Sequence, residues 1–502
     1  MRLSVLIGGK AGQGINKVSQ IISQVLTKHG YYIFNYRDYP SLIRGGHNFN
    51  VLNISDKQIS SHESKINCIL AMDDNTIKLH KKELTKKGLI IDYKEFKDLG
   101  RNINIALAGA FIKTLGIEKK YLIDEIIKEF NTKETNQAAE KGYNSEKELF
   151  HLKKLKNKIK VMSGSQAVAT GAINSKIDRY IAYPMTPATG VMHVLAANQK
   201  KNNFIVFQPE NEIAVVNAAL GSSFTGKRTM IGTSGGGFDL MTEGLSLQGM
   251  TEIPLVVYLA ARPGPGTGTP TYTIQGDINI ALRGGHGEFP RIVVIPGDPN
   301  EAIEKTNEAF YLSEKFNSLS IVLSDKHLAE SEFSVRGKPN KTIIPKINRN
   351  IPGKTIVKAS GYEHDKFGNT TEDATLLKRN AEARIIKYQK IKKEAKRFEM
   401  IKIHGKKNSK NLIIGCGSTK GAILDAIEGK DFKFLQVLYL MPISDEIRKE
   451  IKKAKKVILV ENNLTGQLGR LIREKTGIKI KNRILKYDGR PFLSDELRRE
   501  LK

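Results

Sequence analysis

Between residues 165 and 260 the chain alternates two periodicities, and this alternation constrains the fold more than any other feature. Apolar residues at helical spacing over 165–174, 189–200, 213–225 and 239–251 are separated by short β-rich runs at 180–183, 204–207, 229–233 and 255–260. Strands joined through helices cannot pair as hairpins, so the order predicts a parallel sheet wrapped by helices. The flanks repeat the α/β theme. Ahead lie a strand at 2–7, a glycine-rich turn, a helix at 15–29, strands near 66–72 and 88–91, and helices at 103–115 and 120–130. Polar, weakly periodic residues from about 131 to 160 read as a linker. Behind, a lysine-rich connector, helical over about 371–398, leads to a third α/β unit with strands at 411–414, 434–439 and 456–460. The reading is a three-part α/β chain: an N-terminal domain at 1–135, a linker at 136–160, a parallel α/β domain at 161–345, a connector with a basic helix at 346–402, and a C-terminal α/β domain at 403–502.

Charge and cysteine usage exclude several classes. The 502 residues carry a formal charge of +29, a balance that often signals nucleic-acid binding. Its distribution argues otherwise: between 162 and 335 there are 12 Lys/Arg against 16 Asp/Glu, so the middle domain is acidic. Much of the excess sits at 376–410, with 13 Lys/Arg against 3 acids, and reads as a solvated lysine-rich helix and linker. The two cysteines, Cys68 and Cys416, have no CxxC spacing and support neither a disulfide framework nor a cluster held by this chain. No HExxH pair is present, and no metal site is expected in this chain. No apolar run approaches the roughly 18 residues of a membrane helix, and the short start before the glycine turn is no secretory leader; the expected address is cytoplasmic.

Open parallel sheets bind ligands beyond the carboxyl ends of their strands, and the middle domain has four unusual segments there. The first is Tyr183-Pro184-Met185-Thr186-Pro187-Ala188-Thr189, where two prolines restrict the backbone around Thr186. The second is Gln208-Pro209-Glu210-Asn211-Glu212, with Glu212 about one residue before an alanine-rich helix. The third, Thr233-Ser234-Gly235-Gly236-Gly237, reads as a loop that permits close approach. The fourth runs from Arg262 to Thr271 and combines one cation, several hydroxyls, glycines and prolines. Together they offer one carboxylate, one guanidinium and several hydroxyls. Individually each has a plainer role: Glu212 complementing a helix dipole, Thr186 capping the next helix, Arg262 in a surface ion pair. Near the N-terminus, Gly8-Gly9-Lys10-Ala11-Gly12-Gln13-Gly14 opens a helix, so Gly12 and Gly14 lie where free backbone N–H groups can hold an anion. Such turns also serve simple strand-helix packing. The element Tyr39 to Asn48 adds Arg44 and an exposed-looking His47.

The segments 183–189, 210–221, 233–245, 262–277 and 487–492 resemble the alpha subunit of 2-oxoacid:ferredoxin oxidoreductases. The turn at 8–14 and the segment 39–48 resemble the gamma subunit of the same enzymes, fused here ahead of alpha. Met185 and Ala188 depart conservatively from the family's usual isoleucine and serine. The resemblance implies a gamma-type α/β domain, a domain binding the pyrimidine side of thiamine diphosphate, and a C-terminal transketolase-C-like domain. It puts the carboxylate facing the aminopyrimidine on Glu212, where a hydrogen bond to ring nitrogen N1′ favours the imino tautomer that removes the thiazolium C2 proton. It likewise puts Thr186, Arg262 and Thr271 beside the 2-oxoacid, a guanidinium fork being suited to a carboxylate.

The family's GDG…N diphosphate motif is absent; Gly276-Asp277-Ile278 and Gly297-Asp298-Pro299 are not that arrangement. The resemblance therefore implies a beta subunit carrying the diphosphate–Mg2+ site and a 4Fe-4S cluster, coenzyme A as co-substrate, ferredoxin as acceptor, and a hetero-oligomer such as (αβ)2. Pyruvate, 2-oxoglutarate and branched-chain oxoacids share the C1 carboxylate and C2 carbonyl these residues would handle. Two rival readings are a transketolase-like or indolepyruvate-type thiamine enzyme, which would share Glu212, and a basic non-catalytic nucleic-acid-binding α/β protein, which the acidic middle domain disfavours.

Overall fold

The computed structural model describes residues 1–40, 46–344, 349–358 and 360–501; Arg44 lies outside them. The chain forms two compact units. The first comprises residues 1–162, 331–337 and 493–502, the second residues 163–330 and 338–492.

The first unit is built on a seven-stranded mixed sheet. Its strand Arg2–Lys10 is buried along almost its whole length and pairs in parallel with Ile66–Ala71 and antiparallel with His47–Ser55. Tyr32–Asp38 continues the sheet antiparallel to His47–Ser55. The helix Ile15–Lys28 puts Val18, Ile21, Ile22 and Val25 into the core beneath it. A correction to the sequence reading falls at 131–160: residues Lys133–Ser145 are a helix. Its side chains are mostly polar, so its core-facing stripe consists of small residues that hydropathy does not register. Ala138 and Ala139 are buried, and a methyl group at Gly142 would lie 1.9 Å from the carbonyl oxygen of Ala106 in the helix Ile103–Thr114.

In the second unit the expected parallel sheet is present. Spatially its strands run Tyr439–Met441, Arg291–Val294, Leu319–Asp325, Leu255–Ala261, Thr229–Thr233, Arg179–Ala182, Ile205–Phe207. All neighbours pair in parallel except Tyr439–Met441, which closes one edge antiparallel. Leu255–Ala261 lies fully buried at the centre, which explains its unbroken apolar run. From Arg179–Ala182 the chain first steps outward to Ile205–Phe207, then returns to the other side as Thr229–Thr233. That reversal leaves a crevice at the carboxyl ends of Arg179–Ala182 and Thr229–Thr233. A second, five-stranded sheet holds Asn411–Cys416 between parallel neighbours Lys433–Val437 and Lys456–Glu461. The run expected as one strand at 434–439 is divided: Lys433–Val437 stays in this sheet and Tyr439–Met441 crosses to the other. Cys68 and Cys416 are buried free thiols. Among the described residues no helix is long and apolar enough to cross a membrane.

Gly142→Val should therefore wedge the helices Ile103–Thr114 and Lys133–Ser145 apart and destabilise the first unit by about 1–3 kcal/mol. Urea unfolding followed by a first-unit probe measures this; an unchanged midpoint would mean that the helix at 133–145 does not pack as described.

Candidate active site

The crevice is lined by the beginnings of two helices. Asn211 caps the helix Glu212–Phe224, its side chain accepting from Ala214 N at 2.9 Å, so Glu212 is the first helical residue, at a helix end that favours negative charge. Glu210, two residues earlier, is exposed. Glu212 itself is only 4% exposed, and its Oε1 is buried without a hydrogen-bond partner.

The glycine run corrects the sequence reading. Residues 235–237 are the first turn of the helix Gly235–Thr251, whereas low glycine helix propensity predicts a loop. Close approach explains the composition. A methyl at 237 would lie 2.2 Å from Thr233 Oγ1 and 2.7 Å from Glu212 Oε1, and a methyl at 235 would lie 2.6 Å from Asp277 Oδ2. Ser234 Oγ and Asp277 Oδ2 join Glu212 Oε1 as buried oxygens without partners. Buried polar atoms generally find partners, and here three unpartnered oxygens gather around one helical turn, a surface suited to polar contacts from outside the chain.

Arg262 follows directly on the strand Leu255–Ala261. Its Nη1 donates to the carbonyl oxygen of Thr186 at 2.9 Å, which joins the 183–189 loop to the crevice. Thr186 does not cap the following helix, whose N-cap is Ala188. Met185 reaches Thr233 Oγ1 with its sulfur at 4.0 Å. Burial lowers the Arg262 pKa, while the charges of Asp277 and Glu212 act to raise it, so the guanidinium shares one electrostatic site with both carboxyls. Thr271 is buried farther along the same loop. That loop is anchored from behind: Thr273 N donates to Gly489 O at 3.1 Å, Gln275 N to Asn462 O at 2.7 Å, and Arg490 stacks over the Tyr272 ring. The segment around 487–492 thus supports the loop.

Thr186, Glu212 and Arg262 are therefore brought together, with Thr271 in the adjoining loop. Asp277 is the residue that sequence reasoning missed as a site group. An aspartate opening a helix carries no distinguishing pattern; only its unpartnered oxygen reveals it.

Gly12 and Gly14 belong to the first unit, where they border a cavity of about 540 Å3. Both have left-handed backbone, with φ of 92° and 80°. The turn is pinned by Gln13, whose Oε1 accepts from Lys10 N and whose Nε2 donates to Met72 O. Lys17 and Arg37 supply positive charge to the cavity wall and Asp38 and Glu332 negative charge. His47 is not the exposed side chain expected: its Nε2 lies 2.9 Å from His80 Nε2, and burial lowers its pKa. Among the described residues no group of three or more His, Cys, Asp or Glu could hold a metal ion.

The fold and crevice define a thiamine-diphosphate-type α/β domain, and comparison with known proteins agrees. Residues 170–405 match the family model described as pyruvate flavodoxin/ferredoxin oxidoreductase, thiamine diphosphate-binding. Residues 4–100 match that of pyruvate ferredoxin/flavodoxin oxidoreductase. The 2-oxoacid:ferredoxin oxidoreductase subunit alpha of a Sulfolobus species is 31% identical, the alignment covering 100% of this chain and 96% of that one. The subunit of the same name from Saccharolobus solfataricus is also 31% identical, over 100% and 98%. A solved structure of 2-oxoglutarate:ferredoxin oxidoreductase from Magnetococcus marinus, with 2-oxoglutarate, coenzyme A and succinyl-CoA bound, is 25% identical and superposes with a TM-score of 0.89 over 100% of both chains. The chain belongs to the 2-oxoacid:ferredoxin oxidoreductase alpha-subunit family.

Because a side chain at 237 would occupy the space of the Glu212 carboxylate, Gly237→Ala should lower turnover of the assembled enzyme by about 100-fold, the scale of a lost general acid-base group. Circular dichroism should stay unchanged. Near-normal turnover would separate the carboxylate's position from catalysis.

Proposed function

We propose that this chain works with an iron–sulfur beta subunit to convert a 2-oxoacid, coenzyme A and two oxidised ferredoxins into acyl-CoA, CO2, two reduced ferredoxins and a proton. The observation that carries the reading is the buried, unpartnered Oε1 of Glu212 beside a helical turn whose positions 235 and 237 leave no room for a side chain. That oxygen suits the ring nitrogen of an aminopyrimidine, and Ser234 Oγ offers a second polar contact at the same turn. Bound there, thiamine diphosphate supplies the nucleophilic carbon that adds to the 2-oxo group.

The residues of this chain then have separate tasks. Glu212 holds or releases a proton at the aminopyrimidine N1′. The Arg262 fork binds the C1 carboxylate of the 2-oxoacid, anchored on one side by Thr186 O, and the Thr186 and Thr271 hydroxyls fix the orientation of the substrate. Gly12 and Gly14 present backbone N–H groups, with Lys17 and Arg37 nearby, to a phosphate of coenzyme A. Pyruvate and 2-oxoglutarate are the substrates proposed, since both offer the carboxylate and carbonyl that this set would engage.

The chain is half of an active site. The beta subunit is proposed to bring the diphosphate, Mg2+ and a 4Fe-4S cluster to the crevice and to complete an (αβ)2 assembly. Exposed apolar side chains on the elements around the crevice suit such a partner: Tyr183 after the strand Arg179–Ala182, Phe207 at the end of Ile205–Phe207, Ile213 in the first turn of the Glu212 helix and Leu240 in the second turn of the Gly235 helix are 38%, 51%, 48% and 51% exposed. The same reading puts the enzyme in the cytoplasm, with its coenzyme A and ferredoxin.

Two substitutions in the assembled complex divide these tasks. Glu212→Gln should keep assembly and cluster absorbance while turnover falls by about 100-fold to 10,000-fold. Arg262→Lys should lower kcat/KM for every 2-oxoacid by about 10-fold to 150-fold, with thiamine diphosphate content unchanged, because a point charge replaces a planar fork. Wild-type kcat/KM in the Arg262→Lys complex would remove Arg262 from substrate binding.

A further inference from the structure

The segment running from Thr271 into the helix Ile278–Arg283 is pinned by a glutamine that takes no part in the reaction outlined above. Gln275 is only 3% exposed. Its Nε2 donates to Cys416 O at 2.8 Å, its Oε1 accepts from Asn462 N at 3.2 Å, and its backbone N donates to Asn462 O at 2.7 Å. Cys416 is the last residue of the strand Asn411–Cys416, and Asn462 directly follows the parallel neighbour Lys456–Glu461.

These two strand ends flank a reversal of strand order in the five-stranded sheet. From Asn411–Cys416 the chain passes through the helix Thr419–Ile427 to Lys433–Val437 on one side, and the next strand of the sheet, Lys456–Glu461, lies on the other. Open α/β sheets take their ligands at such a reversal, beyond the carboxyl ends of the strands. Here the Gln275 amide is seated there and bonds both strand ends, as a bound ligand would. A methyl group at Gly417, whose φ is 56°, would lie 2.8 Å from its Nε2.

The backbone on either side of this amide is fixed as well. Thr273 N donates to Gly489 O at 3.1 Å, and Thr273 Oγ1 accepts from His327 N at 3.1 Å. The Asn462 side chain donates to Lys486 O at 3.0 Å and Arg490 O at 3.1 Å, so the residue that holds Gln275 also holds the stretch that holds Thr273. Gln467 donates to Gly276 O at 2.7 Å and accepts from Asn279 N at 2.9 Å. Residues 264–269, by contrast, are exposed. The position of Thr271 is therefore set from its 273–279 side.

We propose that Gln275 is a positioning residue for 2-oxoacid binding: its amide, seated between the strand ends of the C-terminal subdomain, fixes the backbone that presents Thr271 to the substrate. This assignment rests on the reading that the Thr271 hydroxyl orients the 2-oxoacid. A carbonyl and an N–H side by side call for one acceptor and one donor on a single side chain, which a glutamine amide supplies. Without it, Cys416 O and Asn462 N are left unpaired in the interior, and the segment shifts to relieve them. Glu212 is held separately, by the Asn211 cap and the turn at Gly237, so its proton chemistry does not depend on Gln275.

The test is substrate kinetics of the assembled complex with coenzyme A and a viologen dye. Gln275→Leu, of similar size but without donor or acceptor, should raise KM for pyruvate and for 2-oxoglutarate by about tenfold or more, with kcat within about twofold of wild type. Thiamine diphosphate content, KM for coenzyme A and the rate of thiazolium C2-proton exchange should stay unchanged, which general damage to the subunit would not allow. Asn462→Ala keeps the backbone bonds to Gln275 but releases residues 486–490; it should shift KM in the same direction, and it serves if the leucine variant does not assemble. An unchanged KM in whichever of the two assembles overturns the proposal, as does a loss of cofactor or of C2-proton exchange that matches the loss of activity. Thr271→Val run alongside separates the failures. A wild-type KM in that variant removes Thr271 from substrate binding and the proposal with it, whereas a raised KM there beside an unchanged Gln275→Leu defeats Gln275 alone.

Discussion

The site depends on one close approach: a carboxylate from the start of one helix lies against the first turn of another, where residue 237 has no room for a β-carbon. Glu212 reaches this place because Asn211 ends the preceding loop as an N-cap, and it stays there because residue 237 is glycine. Two helix N-termini thus converge on one negatively charged group, which each favours by a few tenths to about 1 kcal/mol. Against this stands the cost of a buried acceptor without a donor, about 1–3 kcal/mol or more for a charged group. A stability-driven sequence would remove that oxygen or pair it. Its retention, together with the orphaned Ser234 and Asp277 oxygens, fits a surface that is completed only when other molecules arrive.

The remainder of the second unit serves to hold this arrangement still. The reversal of strand order opens the crevice where the loops carrying Thr186 and the glycine turn emerge. The Arg262 loop is exposed over residues 264–269, yet it is tied at its far end to Gly489 and Asn462 of the C-terminal subdomain. A buried charge network reinforces the join. Lys420 bonds both Asp298 and Glu301, and Gln436 donates to Glu301 at 2.6 Å while accepting from the His404 ring. Buried charges of this kind are tolerated when fully paired and specify one relative arrangement of the parts they join.

Much of this was readable from the sequence because the middle domain is strongly periodic. Apolar spacing there follows burial closely, so the sequence locates the strand Thr229–Thr233 to the residue and the helix at Glu212 to within one. The misplaced elements fail for physical reasons. Tyr32–Asp38 and His47–Ser55 bury asparagines and serines within the sheet, which hides their strand character, and Lys133–Ser145 packs through alanine and glycine. At the glycine turn intrinsic propensity loses to tertiary contact: three glycines disfavour a helix locally, but the proximity of Asp277 at 235 and of Glu212 at 237 admits nothing larger at those two positions. Glu212, Thr186 and Arg262 could be picked out by their positions after strands. Asp277 could not, because its importance lies in a hydrogen bond that it does not make.

The most direct measurement concerns the proton chemistry attributed to Glu212. In the assembled complex, the rate at which the thiazolium C2 proton of bound thiamine diphosphate exchanges with deuterated solvent reports the contribution of the facing carboxylate without substrate, coenzyme A or electron transfer. The account predicts exchange slowed by about 100-fold or more in Glu212→Gln relative to the wild-type complex, at equal cofactor occupancy. Equal exchange rates in the two complexes would contradict it.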